Sequence, residues 1–316
     1  EGSERLGGRM FTRTDINRDV GGRGIGDQYN NLLPLIEEVG QEMIDITDYM
    51  RSPTAIYLDG QLQHPWPKEK IKPAMHQFMA LGKVDHLTSL DQWYQNTELD
   101  VPYADFLKRQ GLTEEEVALA DISVNYDDIY KTSAINAHHS RAFIKYNGSK
   151  RVLNFKGGTK SFIDKVAATL KKEVLTNKMV NKIVDEGNSV SVSCEDGSVY
   201  RSKKMICTLP FSTLREVEMD VAVNSNQAKA IKELVYTKIT QIHLTHKEAF
   251  WENDGIPLDM WTDTPIERVM NMSSSPTEKQ IACWINGKGT AFFDAMSEKE
   301  IADFVVKQIN TIRPAS

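Results

Sequence analysis

The residues best suited to chemistry gather at the start of the chain. Glu1-Gly2-Ser3-Glu4-Arg5-Leu6-Gly7-Gly8-Arg9-Met10 sets a carboxylate, a glycine pair and a guanidinium within one short stretch. A glycine pair lets backbone approach a phosphate closely, and an arginine beside it supplies a forked cation for the same group. In dinucleotide-binding folds an acidic residue at the end of the second strand takes ribose hydroxyls. Asp19-Val20-Gly21-Gly22-Arg23-Gly24-Ile25-Gly26 follows. Glycines this dense can bring backbone against a flat ligand where side chains would collide. The two clusters are shaped to lie along an adenine dinucleotide.

Other groupings carry less. His243 and His246 flank one strand, and His138-His139 sit on a helix. Neither pair has a third ligand at metal-site spacing, so all four read as structural histidines and no metal is expected. Asp127-Asp128 reads as a solvated pair at a helix end rather than an acid–base dyad. The cysteines Cys194, Cys207 and Cys283 are odd in number and lack metal-ligand spacing, which suits buried, reduced thiols. No Ser-His-Asp or Cys-His arrangement stands out.

The elements that must hold these residues can be read from periodicity. Met10-Phe11-Thr12 is a short strand or turn between the glycine clusters. Tyr29 to Met50 carries apolar residues at helical spacing and predicts one or two amphipathic helices. Thr54 to Leu62 turns at Asp59-Gly60 and predicts a hairpin. Residues 74 to 146 read as mostly helical, with capping patterns at Thr88–Asp91 and Thr113–Glu116. The aromatic residues Trp93, Tyr94, Tyr103, Phe106, Tyr126, Tyr130 and Phe143 lie in this region, and filling its core is the better reading for most of them than lining a pocket. A helix is predicted over Lys160 to Glu173, strands over Asn177 to Asp185 and Ser189 to Cys194, and a returning strand over Val199 to Leu209. A short helix over Gln227 to Leu234, strands over Thr240 to Thr245 and Ile281 to Ile285, and a capped helix from Ser297 to Ile312 complete the pattern.

Composition sets the bounds. At 316 residues with 40% hydrophobic content, the chain can bury a sizeable core and has length for about two domains. A net charge of −6 with scattered lysines and arginines gives no footprint for nucleic acid. No apolar run is long enough to span a membrane. A soluble, cytoplasmic setting is favoured, with secretion left open. Asn147-Gly148-Ser149 and Asn271-Met272-Ser273 match a glycosylation triplet that also arises by chance.

The glycine clusters are joined by further blocks in a fixed order. Phe155-Lys156-Gly157-Gly158 opens a helix, Asn177-Lys178-Met179-Val180-Asn181-Lys182-Ile183 has an N-x-x-V-x-x-I form, Cys207-Thr208-Leu209-Pro210-Phe211 follows a hairpin, and Phe250-Trp251 precedes Asp254-Gly255. From the first residue to about Gly255, this series resembles the flavin-dependent amine oxidase family, which includes monoamine, polyamine and L-amino-acid oxidases. The resemblance implies an α/β (mixed α+β) fold: an incomplete FAD/NAD(P)-binding Rossmann-like domain interleaved with a substrate domain that holds a helical insertion. Residues 1–26 and 150–215 would form the FAD-binding part, with 297–316 a segment that could return to it. Residues 27–149 and 216–296 would bind substrate.

Carried over residue by residue, the resemblance has Glu1 on the adenosine ribose, Gly7, Gly8 and Arg9 at the pyrophosphate, Gly21 and Gly22 along the isoalloxazine, and Val180 at the adenine through its main chain. FAD is the implied cofactor and an amine or amino acid the implied small-molecule substrate, oxidised by hydride transfer to flavin with O2 as final acceptor. Many members place a lysine nine residues before the Phe-Trp. That position is Gln241 here, a neutral group that can hold a water but cannot titrate. The departure admits a second reading, a flavin-dependent oxidase or desaturase of a non-amine substrate. The family's phosphate loop would stand about 20 residues or more before Glu1, and a closing flavin segment would follow Ser316. On that expectation the chain is a fragment that alone holds FAD weakly or not at all, a non-catalytic remnant in its own right, and tends to self-associate through exposed apolar surface.

Overall fold

The computed structural model describes residues 1–50, 52–65, 97–122, 126–139, 148–275 and 277–314, with Gln92 and Gln95. The predicted cap at Thr88–Asp91, the aromatic residues Trp93, Tyr94 and Phe143, and Asn147 lie outside the described residues.

In chain order, Thr12–Arg13 (β1) pairs antiparallel with Arg18–Asp19 (β2), and Ile25–Gly26 (β3) follows. The expected helical run from Tyr29 breaks into helix Leu32–Glu38, strand Met43–Asp45 (β4) and helix Thr47–Met50. Gly40 stands at φ 63 just beyond the first helix, where a glycine stops helical hydrogen bonding at low steric cost. Ala55–Leu58 (β5) and Gln61–Gln63 (β6) form the predicted hairpin around Asp59-Gly60. In the helical region, Tyr103–Arg109 and Glu114–Ile122 are helices and residues 134–139 are helical. The Thr113 cap forms as read: its Oγ1 accepts from Glu116 N at 3.2 Å, and Glu116 Oε2 accepts from Thr113 N at 2.9 Å.

Strand Val152–Phe155 (β7) leads into helix Gly158–Ala168, shorter than predicted. Val180–Asp185 (β8), Val190–Cys194 (β9) and Val199–Ser202 (β10) form a meander. Strand β8 begins three residues later than expected because Asn177 sits in left-handed backbone at φ 55. The returning strand β10 stops at Ser202. Residues 203–209 are unpaired as strand, and 203–208 are exposed, with Ile206 91% exposed. Cys207 lies there and is exposed, which corrects the reading of all three cysteines as buried; Cys194 and Cys283 are buried. Glu218–Asp220 (β11), helix Ser225–Glu233, Ile239–Thr245 (β12), Met260–Thr262 (β13), Arg268–Asn271 (β14) and Gln280–Asn286 (β15) follow, and helix Glu298–Ile312 closes the chain. That last helix carries the predicted capping box between Ser297 and Glu300.

The chain divides into two compact units. Glu1–Arg23, Asn31–Met43 and Phe155–Tyr236 form the first, and Gly24–Asn30, Ile44–Asn154 and Thr237–Ser316 the second. The first unit holds the sheet β10-β9-β8-β11, in which β11 runs parallel to β8 and the others are antiparallel. Ile183, Leu214 and Val217 form its buried cluster.

The second unit holds a six-stranded sheet in the order β12-β15-β14-β13-β5-β6. Side chains alternate between faces of a strand. One face, with Ala55, Met260, Val269, Ile281, Cys283 and Ile285, packs on Val305, Ile309 and Ile312 of the last helix. Arg313 fastens that helix: its guanidinium donates to Asp254 at 2.6 Å and 3.1 Å, to Ile256 O at 2.7 Å and to Pro257 O at 2.7 Å. A separate helical cluster gathers Tyr103, Leu107, Val117 and Ile129, with Phe106 and Tyr126 packed against it, so these aromatic residues serve the core as read. Tyr130 is exposed. Among the described residues, no helix is long and apolar enough to cross a membrane.

Candidate functional site

In the first unit the candidate residues come together on a framework of backbone hydrogen bonds. Lys178 N donates to Glu1 O at 2.8 Å and Asn177 N to Ser3 O at 3.0 Å. Met179 crowds Gly2 so closely that a Cβ there would lie 3.2 Å from its Sδ. The Glu1–Ser3 backbone thus lies along the segment that enters Val180, and Glu1 is anchored rather than frayed. Ser3 N and Oγ both donate to Glu1 Oε1, at 3.2 Å and 3.0 Å. Desolvation works against the charged form, yet the two Ser3 hydrogen bonds and the Arg5 charge outweigh it and hold the carboxyl below its usual range.

Val180 opens β8 at an irregularity: it pairs with Cys194, while Lys182 pairs with Ser193, so Asn181 is the extra residue of a bulge. Bulges redirect side chains and interrupt regular pairing, and they recur beside functional sites.

Gly7-Gly8 makes a tight turn closed by Met10 N donating to Gly7 O at 2.9 Å. Both glycines have positive φ, 101 and 53. Arg5 braces the turn, donating to Gly8 O at 2.8 Å with its guanidinium 4.1 Å from the Phe11 ring centre. Arg9 is exposed and enters no hydrogen bond or ion pair among the described residues. Gly21 answers to a different demand. A Cβ there would stand 2.2 Å from Arg9 O, and Gly22 N donates to that same oxygen at 2.9 Å. Gly21 is therefore fixed by the β1–β2 ribbon, whereas a Cβ on Gly22 would meet nothing closer than 3.8 Å.

Sequence reasoning missed the residues that seat this ribbon. Asp19 Oδ1 accepts from Thr159 N at 2.9 Å, and Thr12 Oγ1 accepts from Lys160 N at 2.9 Å. Both satisfy N–H groups in the first turn of helix Gly158–Ala168, from about 140 residues away in sequence. Cap patterns are legible only when local, so no signal in the chain could have marked them.

The second unit contributes the other candidate, Gln241. It is half-buried on β12, the edge strand, and its Oε1 lies 3.1 Å from His243 Nε2. Lys238 precedes the strand and is exposed. The registers align Gln241 with Trp284, Arg268 with Trp261, Trp261 with Ile56 and Ile56 with Gln63. Val269 pairs with Cys283 one step along, which brings Arg268 opposite Trp284 and completes one row across all six strands. This row lies on the face opposite the last helix. Arg268 is 5% exposed, with its guanidinium carbon 5.2 Å from the Trp261 ring centre and 6.0 Å from that of Trp284. Desolvation pulls its pKa down to about 10, and the Glu267 charge opposes that.

The histidines do not converge. His243 belongs to β12 and His246 follows it, with Nδ1 3.0 Å from Glu248 O. His138 packs edge-on against Phe106. Among the described residues no group of three or more His, Cys, Asp or Glu is arranged to hold a metal. Asp127 and Asp128 lie in the loop beyond helix Glu114–Ile122 and accept backbone N–H groups of Lys238 and Tyr130.

The Glu1 carboxylate, the left-handed Gly7-Gly8 turn, the exposed Arg9 and the bulge at Val180 all belong to one α/β unit. Solved structures that share this fold include two amine oxidases. Wild-type putrescine oxidase bound to putrescine superposes with a TM-score of 0.82 at 14% identity, over 99% of this chain and 75% of that one. Cyclohexylamine oxidase from Brevibacterium oxydans IH-35A gives 0.82 at 17% identity, over 100% and 75%. The profile of the flavin containing amine oxidoreductase family matches residues 1–316, and the chain belongs to that family. Flavin-dependent L-tryptophan oxidase RebO of Lentzea aerocolonigenes is 28% identical over 111 residues, 34% of this chain and 23% of that protein. The L-amino-acid oxidase of Gloydius halys is 24% identical over 99% of this chain and 67% of its own length. The chain thus spans only part of these relatives.

Proposed function

We propose that the intact protein is an FAD-dependent oxidoreductase that removes a hydride from the carbon next to nitrogen in an amine or amino acid. The observation that carries this reading is the pairing of Glu1–Ser3 with the segment leading into Val180, in the unit that also presents the Gly7-Gly8 turn and Arg9. These residues fit a dinucleotide: an anchored carboxylate for ribose hydroxyls, left-handed backbone, and a guanidinium with no competing partner among the described residues. When bound, FAD supplies the two-electron chemistry and passes the electrons to O2. Gly21 would keep the chain beside the β1–β2 ribbon closed against Arg9, and Gly22 would leave room there for the isoalloxazine. Gln241, oriented by His243, offers an amide hydrogen-bonding group where many relatives carry a lysine.

In domain terms, the first unit would bind the cofactor and the second the substrate. Self-association belongs to the same proposal, supported by the exposure of Ile206, Leu234 and Val235. The test is reconstitution of the full protein with FAD, followed by anaerobic addition of amines and amino acids while flavin absorption is recorded. Bleaching by some member of the panel is expected. A protein that takes up FAD yet is reduced by none of them would favour the second reading, oxidation of a non-amine substrate, which Gln241 supports.

A further inference from the structure

Two loops of the first unit are candidates to face the cofactor, the Gly7-Gly8 turn and the Gly21-Gly22 stretch, and one helix, Gly158–Ala168, supports both. A Cβ on Gly7 would stand 3.2 Å from Ile163 Cγ1 of that helix, and a Cβ on Gly158 would stand 2.8 Å from Thr12 Oγ1 and 3.1 Å from Asp19 Oδ1. Between the two loops, the β1–β2 ribbon is fastened to the first turn of the helix. Asp19 Oδ1 accepts from Thr12 Oγ1 at 2.5 Å, from Thr159 N at 2.9 Å and from Thr159 Oγ1 at 3.0 Å, while Thr12 Oγ1 accepts from Lys160 N at 2.9 Å. Thr12 and Thr159 are both buried. The helix is itself fixed at its start by a second contact: Ser161 Oγ donates to Gln41 Oε1 at 3.1 Å, and Gln41 Nε2 donates to Lys156 O at 3.0 Å. The seat is thus firm, whereas the ribbon's own strands are each two residues long, too short a hairpin to hold its shape in water unaided.

We propose that Asp19 and Thr12 are positioning residues for the cofactor: by locking the ribbon to helix Gly158–Ala168, they set the fraction of molecules whose Gly7-Gly8 turn, Arg9 and Gly22 stand ready to receive it. This role rests on the FAD reading above and adds where affinity for that ligand is decided. Asp19 Oδ1 and the Thr12 hydroxyl are committed to each other and to the helix, so they act on the ligand through the ribbon. A ligand that needs the docked ribbon binds more weakly in proportion to the fraction that is docked. The Thr12 hydroxyl serves twice, as donor to Asp19 and as acceptor for Lys160 N, so its loss leaves a helix-end N–H without its acceptor. The coupling also runs in reverse. A cofactor that holds the ribbon docked slows the opening of the Thr159 and Lys160 amides, although the ribbon already occupies both.

The experiment measures three things on the full protein: FAD affinity by flavin fluorescence, the melting temperature, and hydrogen exchange of the ribbon and of the Thr159 and Lys160 amides. Affinity and exchange are read well below the melting temperature. Thr12→Val keeps the shape and deletes the hydroxyl; faster exchange of the ribbon and FAD binding weaker by about tenfold or more are expected. Thr12→Ser keeps the hydroxyl and should bind FAD within about threefold of the wild type. Asp19→Asn keeps an oxygen acceptor and should fall between the wild type and Asp19→Ala. A merely structural role would lower the melting temperature of Thr12→Val and leave the FAD affinity of its folded form unchanged, and that result would overturn the proposal. Equal affinities in Thr12→Val and Thr12→Ser would overturn it too. Even if the variants fail to fold, the wild type decides: FAD at about 100 times its dissociation constant should slow exchange at Thr159 and Lys160 by about tenfold or more, and unchanged exchange there refutes the coupling. A wild type that takes up no FAD sinks the oxidase reading and this role with it, whereas FAD uptake indifferent to Thr12 and Asp19 sinks this role alone.

Discussion

Replacing Asp259 with asparagine is expected to stabilise the protein at neutral pH and leave it unchanged in acid. Asp259 immediately precedes β13; its Oδ1 accepts from Asn271 N at 2.6 Å, and its carbonyl accepts from Ala55 N at 2.8 Å. Burial pushes the carboxyl up from 3.8 to about 6, with the Asn271 hydrogen bond opposing the rise. An unfolded chain releases this proton near the ordinary value, while the folded one keeps it until about pH 6. Between those points the folded state binds more protons, so stability falls as pH rises. The penalty is absent below about pH 4 and complete above about pH 6. A gap of about 2 pH units at ~1.4 kcal/mol each puts its ceiling at about 3 kcal/mol. Asparagine keeps an acceptor for Asn271 N and carries no charge. Urea unfolding of both proteins at about pH 4 and about pH 7 measures the effect. Subtracting the two removes the contribution of every other titrating group. A stability difference equal at the two pH values, or a less stable variant at neutral pH, would refute the reasoning.

Arg313→Leu should cost about 3–5 kcal/mol in denaturant unfolding, because Asp254 and two carbonyls lose their donor; Asp254→Asn in the same chain should restore part of the loss. Gly21→Ala forces a methyl into Arg9 O and should open the β1–β2 ribbon, lowering both the melting temperature and FAD uptake, whereas Gly22→Ala should be far milder. Gln241→Lys restores the group many relatives carry and ends the contact with His243; a new ionisation in the pH profile of flavin reduction is expected, and an unchanged profile would remove Gln241 from the reaction.

Much of this was legible in the sequence because the signals are local. The Ser297 and Thr113 caps, the Asp59-Gly60 hairpin and the alternation of β12 each depend on residues within a few positions, and each forms as read. The elements misjudged were those set by distant partners or by one dihedral. Helical periodicity over 29–50 gave no warning that Met43–Asp45 would be claimed by a sheet. Residues 203–209 were read as the end of the strand that begins at Val199, yet a strand needs a neighbour and none of the described residues pairs with them as strand. On the candidate site, resemblance supplied Glu1 and the glycines, but not the separate reasons for Gly21 and Gly22. Asp19 and Thr12 escaped notice because each acts through partners far away in sequence, at a helix end about 140 residues on.

The alternation of the six-stranded sheet has an evolutionary corollary. One set of alternate positions packs into the hydrophobic interior against the last helix and the other faces away from it, so mutations can explore one vocabulary without disturbing the other. Exchanging Arg268, Trp261 or Gln241 leaves Val269, Met260 and Ile242 seated as before. A descendant could change that outward face in a few substitutions and keep its architecture intact.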